Sequence, residues 1–500
     1  MNQRKLDKPA FATTVLIIFF VCISLASSPD RAAQLLEDTY DYIANQIGVI
    51  FILAAVGANI FLIWLGASKF GKTKFGAPES KPEFDTVSWI SMLFCAGIGG
   101  GLIYWCAVEW AHYYQSPPFG AEPFSPEAAK WASTYGLFHW GFPAWAFYCL
   151  PTLAIGYPYY SKNLSHMRFS NGCHYFLSRN TIGPIARFID FLFIIAMVGG
   201  AAASLGFSTP MIAACIAWLF GLEHNFSLDV GVTLLCVFLM SISVYLGLRK
   251  GIRTLSFINL IIGFCLLFFI LMVGPTAFLL KTSLNSVGVL MQNFVQMTFY
   301  TDPFTESTFV EDWTVFYWAW WIAFAPYVGM FIARISHGRT IRQVIVGMLV
   351  FGSLGCWVFY MVIGNYSLFL ELEGIANITG VLNEQSQSAA IVATLRELPL
   401  PGLVIGVFSI MAIIFATTTY DSAAYTIASS ATHNLPAGSH PARWHRVFWA
   451  LALGAMPITL LFIGGLRVMQ LVLLIVSVPI LITGVLMSVS LVRSLQEQNP

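Results

Sequence analysis

Twelve runs of about twenty apolar residues, the length at which an α-helix crosses a hydrocarbon layer, decide what this chain can fold into. They lie near residues 11–27, 46–66, 87–113, 135–157, 187–208, 228–247, 254–278, 313–334, 343–370, 401–430, 446–465 and 468–492. Hydrophobic residues make up 57% of the chain and charged residues 10%, against about 25% charged in soluble proteins. Such a chain cannot clothe a surface that faces water. The ten-residue alternation of a membrane β-barrel is absent. Backbone polar groups in lipid must be satisfied within their own segment, which leaves a helical bundle. The expected fold is an all-α polytopic membrane protein with 12 transmembrane helices.

Orientation follows from basic residues. With the N-terminus in the cytoplasm, only Arg31, Lys130, Lys281, Arg396 and Arg467 of the 25 Lys and Arg residues fall outside. Both termini are therefore expected in the cytoplasm. The first run, basic before it and followed by small residues around Ser24–Ser28, also has the features of a cleavable leader; it is taken as a retained helix. Residues 279–312 carry an amphipathic run, Ser286–Phe299, expected to lie flat on the outer surface. A net charge of +1 gives no field to attract nucleic acid. The cysteines form no CxxC or His/Cys pattern with metal-ligand spacing, and ATP is not expected to drive the protein.

Apart from Asp229 at the very start of its run, three acidic residues fall inside the runs: Glu109, Asp190 and Asp421. Each costs upward of ~2.5 kcal/mol at the bilayer centre unless it faces a cavity or a partner. Asp190, close to Arg187, reads as a structural contact; Glu109 and Asp421 leave both readings open. Glu109 follows the run Cys95-Ala-Gly-Ile98-Gly99-Gly-Gly101. Four glycines in five residues disfavour a continuous helix. In a transporter such a break exposes backbone groups to a ligand; close helix packing is the alternative. Trp105, Glu109 and His112 then share one face. Asp421 follows Thr417, Thr418 and Thr419, whose hydroxyls suit a hard cation or a helix–helix hydrogen bond equally well.

Trp313, Tyr317, Trp320, Trp321 and Phe324 recur at helical spacing. Their stripe spans about three turns, roughly 16 Å, deeper than the single level of an interfacial tryptophan belt. Trp140, Trp145 and Tyr148 form a second set. Any one ring reads as ordinary packing. Two sets beside a glycine-broken helix point to a binding wall. A quaternary ammonium has no N–H to donate, so ring faces must replace its hydration, each contributing ~0.5–2 kcal/mol.

The segment Trp313–Thr340, WTVFYWAWWIAFAPYVGMFIARISHGRT, resembles the signature of the betaine/choline/carnitine transporter (BCCT) family. The glycine-rich third run, His139-Trp140, Trp145, Tyr148, SPPFG at 116–120 and KGIR at 250–253 extend the resemblance over nearly the whole chain. It implies two leading helices (1–85), two inverted five-helix repeats of the leucine-transporter type (86–278 and 313–494) around the outer segment 279–312, and a tail at 495–500. It implies a homotrimer in a bacterial-type inner membrane and transport of a small quaternary-ammonium substrate, with no enzymatic activity and no cofactor.

By the same resemblance, Trp140, Trp145, Tyr148 and Trp321 hold the trimethylammonium group. Trp320 lines the path, and Phe324, Trp105, His112, Gly99 and Gly101 complete the substrate set. His112 and Phe324 stand where carnitine-type members have tyrosines. Gly at 101, rather than Asp, implies a zwitterion and not choline. Sodium would be held by Cys95, Ile98, Phe415, Thr418 and Thr419. Asn259 replaces the arginine of sodium-independent exchangers, and Met197 and Ala201 lack the hydroxyls of a second sodium site, which implies one Na⁺ per substrate. The expected function is Na⁺-coupled symport of a betaine- or carnitine-type zwitterion. A sodium-independent exchanger is the alternative, and a receptor or enzyme with an aromatic cage is the reading from another class.

Overall fold

The computed structural model describes residues 5–6, 8–96, 99–162, 164, 167–177, 183–246, 249–433, 440–463 and 466–498. Its elements in chain order are α1 (Lys8–Ser27), α2 (Pro29–Ala67), α3 (Thr86–Ala96), α4 (Gly100–Gln115), α5 (Pro126–His139), α6 (Phe142–Ser161), α7 (Pro184–Phe220), α8 (Phe226–Leu246), α9 (Arg249–Val273) and α10 (Thr276–Phe299). They continue with α11 (Phe316–Ile335), α12 (Ile341–Leu372), α13 (Ile378–Glu384), α14 (Gln387–Arg396), α15 (Pro401–Ser430), α16 (Arg443–Ile463) and α17 (Leu466–Gln498). The exception to an all-helical chain among these residues is a two-residue antiparallel pair, Lys5–Leu6 with Thr432–His433, and a single bridge, Lys74 with Thr340.

Nine helical stretches of the described residues are long and apolar enough to cross a membrane. Three of the twelve expected runs are not among them: the first, whose apolar stretch Phe11–Ser24 in α1 is shorter, and two that are divided. The run 87–113 is two helices, one closing at Ala96 and the next opening at Gly100. The run 135–157 is also divided: α5 ends at His139 and α6 begins at Phe142. Gly141 sits at this second break because a β-carbon there would strike the Leu137 carbonyl oxygen. The start of α5 is written in the sequence: the Ser125 hydroxyl accepts from the Ala128 amide at 3.1 Å, and Pro126 occupies the first turn, the cap and N1 residue a helix favours.

The expected surface segment is part of α10, which starts after Gly274-Pro275 and packs on α5. Residues 371–400 include α13 and α14, which lie on α4 and α7. Helix α12 contains two π-helical turns, Gly347–Gly352 and Tyr360–Gly364, wide turns that shift side-chain register. The helix pair α6–α11 forms the most extensive packing in the molecule, and α7 lies against α4, α15 and α17. Of these helices, α4, α6, α7, α11 and α15 line the cavity described next, with α9 and α12.

The octapeptide Gly66-Ala-Ser-Lys-Phe-Gly-Lys72-Thr73 matches the spacing of a nucleotide phosphate loop. The structure gives it the wrong context. A phosphate loop joins a strand to a helix N-terminus. Here Gly66 is in the last turn of α2, a 3₁₀ turn spans Lys69–Lys72, and Arg342 Nε donates to the Gly66 carbonyl at 2.7 Å.

Candidate functional site

A cavity of about 260 Å³ opens where the start of α4, the α5–α6 break, α11 and the middle of α15 converge. Trp140, Trp145, Tyr148, Trp320, Trp321 and Phe324 line it. Of these, Trp140, Trp145 and Tyr148 from one stretch of the sequence and Trp321 from another form one aromatic corner. Trp140 meets Trp321 edge to face, centroids 4.6 Å apart at 73°. Tyr148 meets Trp321 at 5.9 Å and Trp145 at 5.6 Å, both nearly perpendicular. Trp320 lies parallel to Trp321 at 5.2 Å. Perpendicular rings present faces to a common space, the arrangement a bulky cation needs.

The α5–α6 break fixes these rings. A helix end leaves carbonyl groups without intrahelical donors. Here the His139 carbonyl accepts the Trp321 indole N–H at 2.8 Å, and the Leu137 carbonyl accepts that of Trp357 at 2.7 Å. Glycines make room. A β-carbon at Gly352 would overlap the Trp145 ring, one at Gly101 would come within 2.9 Å of Trp320, and one at Gly200 within 2.8 Å of Phe324.

The rest of the lining is more polar. Gly99, Gly100 and Gly101 contribute to it at the start of α4, where amides of the first turn lack intrahelical acceptors and favour negative charge. Phe415, Thr418 and Thr419 face the same space from α15, with Ser204, Ser422 and Tyr327 beside them. Thr418 Oγ1 donates to the Ile414 carbonyl at 2.8 Å. Cys95 is in α3, and Ile98 lies outside the described residues, so only part of the expected sodium set can be located. Among the described residues no cluster of His, Cys, Asp or Glu could hold a metal.

Trp105 and His112 do not line the cavity. Trp105 is buried among Phe207, Trp313, Phe316 and Tyr317. His112 packs against Trp313 with ring centroids 4.7 Å apart and the planes tilted by 42°, and it meets Gln387 at 3.2 Å. The aromatic stripe therefore divides: Trp320, Trp321 and Phe324 reach the cavity, while Trp313 joins this second aromatic layer. Asn259 donates to the Met411 carbonyl at 3.1 Å, between α9 and α15. Asp190 accepts from the Ser170 amide at 2.9 Å and lies 3.9 Å from Arg168 rather than pairing with Arg187.

Glu109 is fully buried and makes the densest polar network of the site. Tyr113 donates to its Oε1 at 2.6 Å; Trp140 Nε1, at 3.1 Å, and the hydroxyls of Tyr317 and Tyr360 donate to Oε2. His139 Nδ1 lies 2.8 Å from the Tyr113 oxygen, and its Nε2 is 3.1 Å from Thr314 Oγ1. Sequence reading flagged Glu109 and, separately, Trp140 and Tyr317 as aromatic residues, without linking them to it. Its partners lie 4 to 251 positions away, and only the aromatic richness of α11 hinted at them.

The family model described as BCCT, betaine/carnitine/choline family transporter, matches residues 9–500. An uncharacterized transporter, YeaV, of Escherichia coli (strain K12) is 34% identical over 432 residues, 86% of this chain and 89% of that protein. A carnitine transporter of Acinetobacter baumannii (strain ATCC 19606) is 31% identical over 488 residues, 97% of this chain and 88% of that protein. These matches set aside the receptor and enzyme reading. Apolar helices, an aromatic cavity among them and a full-length family match together make this chain a member of the betaine/carnitine/choline family of transporters, multi-pass membrane proteins that carry quaternary-ammonium compounds.

Proposed function

We propose that the chain is a Na⁺-coupled symporter of a betaine- or carnitine-type zwitterion, working by alternating access around the aromatic cavity. The observation that carries this reading is the composition of one cavity: the Trp140, Trp145, Tyr148 and Trp321 corner and the amide-rich start of α4 both line it. The trimethylammonium group sits in the aromatic corner, and the carboxylate takes the free amides near Gly100 and Gly101. Gly101, pressed against Trp320, leaves no room for an acidic side chain, so the substrate brings its own carboxylate.

Sodium, as a transported ion, binds where Phe415, Thr418 and Thr419 face the cavity, with Cys95 and Ile98 supplying backbone oxygens. A zwitterion carries no net charge and gains nothing from the membrane potential. One co-transported Na⁺ adds about 2.3 kcal/mol per 100 mV, and a tenfold gradient about 1.4 kcal/mol. Together they support accumulation of roughly several hundred-fold. Met197 and Ala201 are buried in α7 without hydroxyls, which supports a single ion.

The membrane arrangement we propose has twelve crossings, counting α3–α4 and α5–α6 as one broken span each and α1 as a retained helix. Two inverted repeats follow α2. Three copies assemble in the inner membrane with both termini cytoplasmic. The test is uptake of betaine, carnitine and choline into proteoliposomes, with and without an inward Na⁺ gradient. Zwitterion uptake that requires Na⁺ and responds to membrane potential is the expected result. Counterflow without Na⁺, indifferent to potential, would make the protein an exchanger.

A further inference from the structure

The aromatic corner consists of neutral rings, yet the group behind it is charged. Glu109 has no exposed surface, and among the described residues no Lys or Arg pairs with it; the nearest basic atom is His139 Nδ1, 3.7 Å from Oε1. The pattern of donors fits an ionised carboxylate. Indole N–H is a donor only, so Oε2 accepts from Trp140, and it also accepts from Tyr317 and Tyr360. A carboxyl proton on Oε2 would confront three donors. Oε1 accepts from Tyr113, whose oxygen is then free to accept from His139 Nδ1–H, while His139 Nε2 accepts from Thr314. Every proton in this chain has one place when Glu109 is ionised and His139 is neutral.

The negative charge reaches the cavity by two routes. Trp140 lines the cavity and donates directly to the carboxylate. Polarisation along a hydrogen bond enriches the donor's π system, which deepens the negative face that attracts a cation. Tyr317 donates to the carboxylate and stacks on Trp321 at 5.7 Å and 23°, and on Trp320 at 6.1 Å and 15°.

We propose that Glu109 is a positioning residue that acts as the fixed counter-charge of the cavity, working through Trp140 and Tyr317 to select a ligand whose bulky end is positively charged. The inference rests on the cavity being the quaternary-ammonium site.

The test uses the purified full-length chain and intrinsic tryptophan fluorescence. Two probes of one shape are titrated: 4-(trimethylammonio)butanoate and its uncharged-head isostere, 5,5-dimethylhexanoate. Glu109→Gln is expected to weaken the ammonium ligand about tenfold, the scale of one strong cation–π contact, without weakening the isostere. Glu109→Asp should keep the preference for the ammonium ligand even where both affinities fall. Tyr360→Phe, which removes a neutral donor and leaves the charge, should keep or enlarge that preference, and it serves if Glu109→Gln does not fold. Equal loss of both ligands in Glu109→Gln, or a lowered preference in Tyr360→Phe, would overturn the counter-charge role. Failure of the unmutated protein to bind the ammonium ligand would instead overturn the reading of the cavity.

Discussion

The Trp321 indole N–H donates to the His139 carbonyl oxygen at 2.8 Å, so the end of α5 and the central ring of the cavity form one structural unit. The bond has a consequence for substitution. Trp321→Phe keeps a ring face but loses this anchor, whereas Trp321→Ala loses both. One cation–π face corresponds to roughly 2- to 30-fold in affinity. Trp321→Phe should weaken substrate binding within that range, and Trp321→Ala should abolish measurable uptake while the protein still reaches the membrane. Uptake assays beside quantitative blotting of the membrane fraction check both; unchanged affinity in Trp321→Ala would remove the ring from the site.

Gly352 lies in a π turn of α12, and a β-carbon there would overlap Trp145. Gly352→Ala must push the indole toward the cavity or shift the turn. Overpacking of this kind costs about 1–3 kcal/mol. The expected outcome is a lowered melting temperature together with weakened substrate binding. Trp145→Phe, made in the Gly352→Ala background, should restore part of the stability because the smaller ring clears the new methyl. A melting series on the two single variants and the double variant reads the coupling directly.

Thr419 faces the cavity beside Gly99, whose added β-carbon would lie 3.8 Å from Thr419 Oγ1. Thr419→Ala removes one oxygen from the region proposed for sodium. The sodium concentration for half-maximal uptake should rise several-fold, with little change in substrate affinity at saturating sodium. Thr419→Ser, which keeps the hydroxyl, should behave nearly as the parent. A sodium titration of uptake decides this, and indifference to the alanine change would favour the exchanger.

Much of this site was legible in the sequence because it rests on local signals. Trp320, Trp321 and Phe324 reveal their shared face by spacing alone, and the glycines before Leu102 announce the start of a new helix. The break at Trp140–Gly141 was not read, although Gly141 and Pro143, the latter in the first turn of α6, carry the local signal for it; the apolar residues on either side read as one continuous run. The partners of Glu109 were hidden for a different reason. Tyr317 and Tyr360 reach it from 208 and 251 positions away, and helical periodicity says nothing about which faces meet. His112 and Trp105, drawn into the substrate set by resemblance, belong to a layer next to the cavity. The two π turns of α12 have no sequence signature, yet one of them contains Gly352 and the other Tyr360.

That neighbouring layer carries a link from α14 to α4. Gln387 accepts from the Tyr104 hydroxyl and donates to His112 Nε2 at 3.2 Å, and Asn383 Nδ2 donates to Gln115 at 2.6 Å. Alternating access requires some elements around the cavity to separate and return, and helices tied by a few polar side chains separate more readily than a packed pair such as α6–α11. Each neutral hydrogen bond contributes about 0.5–1.5 kcal/mol. Gln387→Ala removes two, so local opening of residues 387–396 should rise roughly tenfold or more. Hydrogen exchange followed by mass spectrometry measures that opening on the intact chain. Substrate affinity should change little, because Gln387 does not line the cavity. Unchanged exchange over 387–396 would mean that packing against α7, and not the Gln387 link, holds α14 in place.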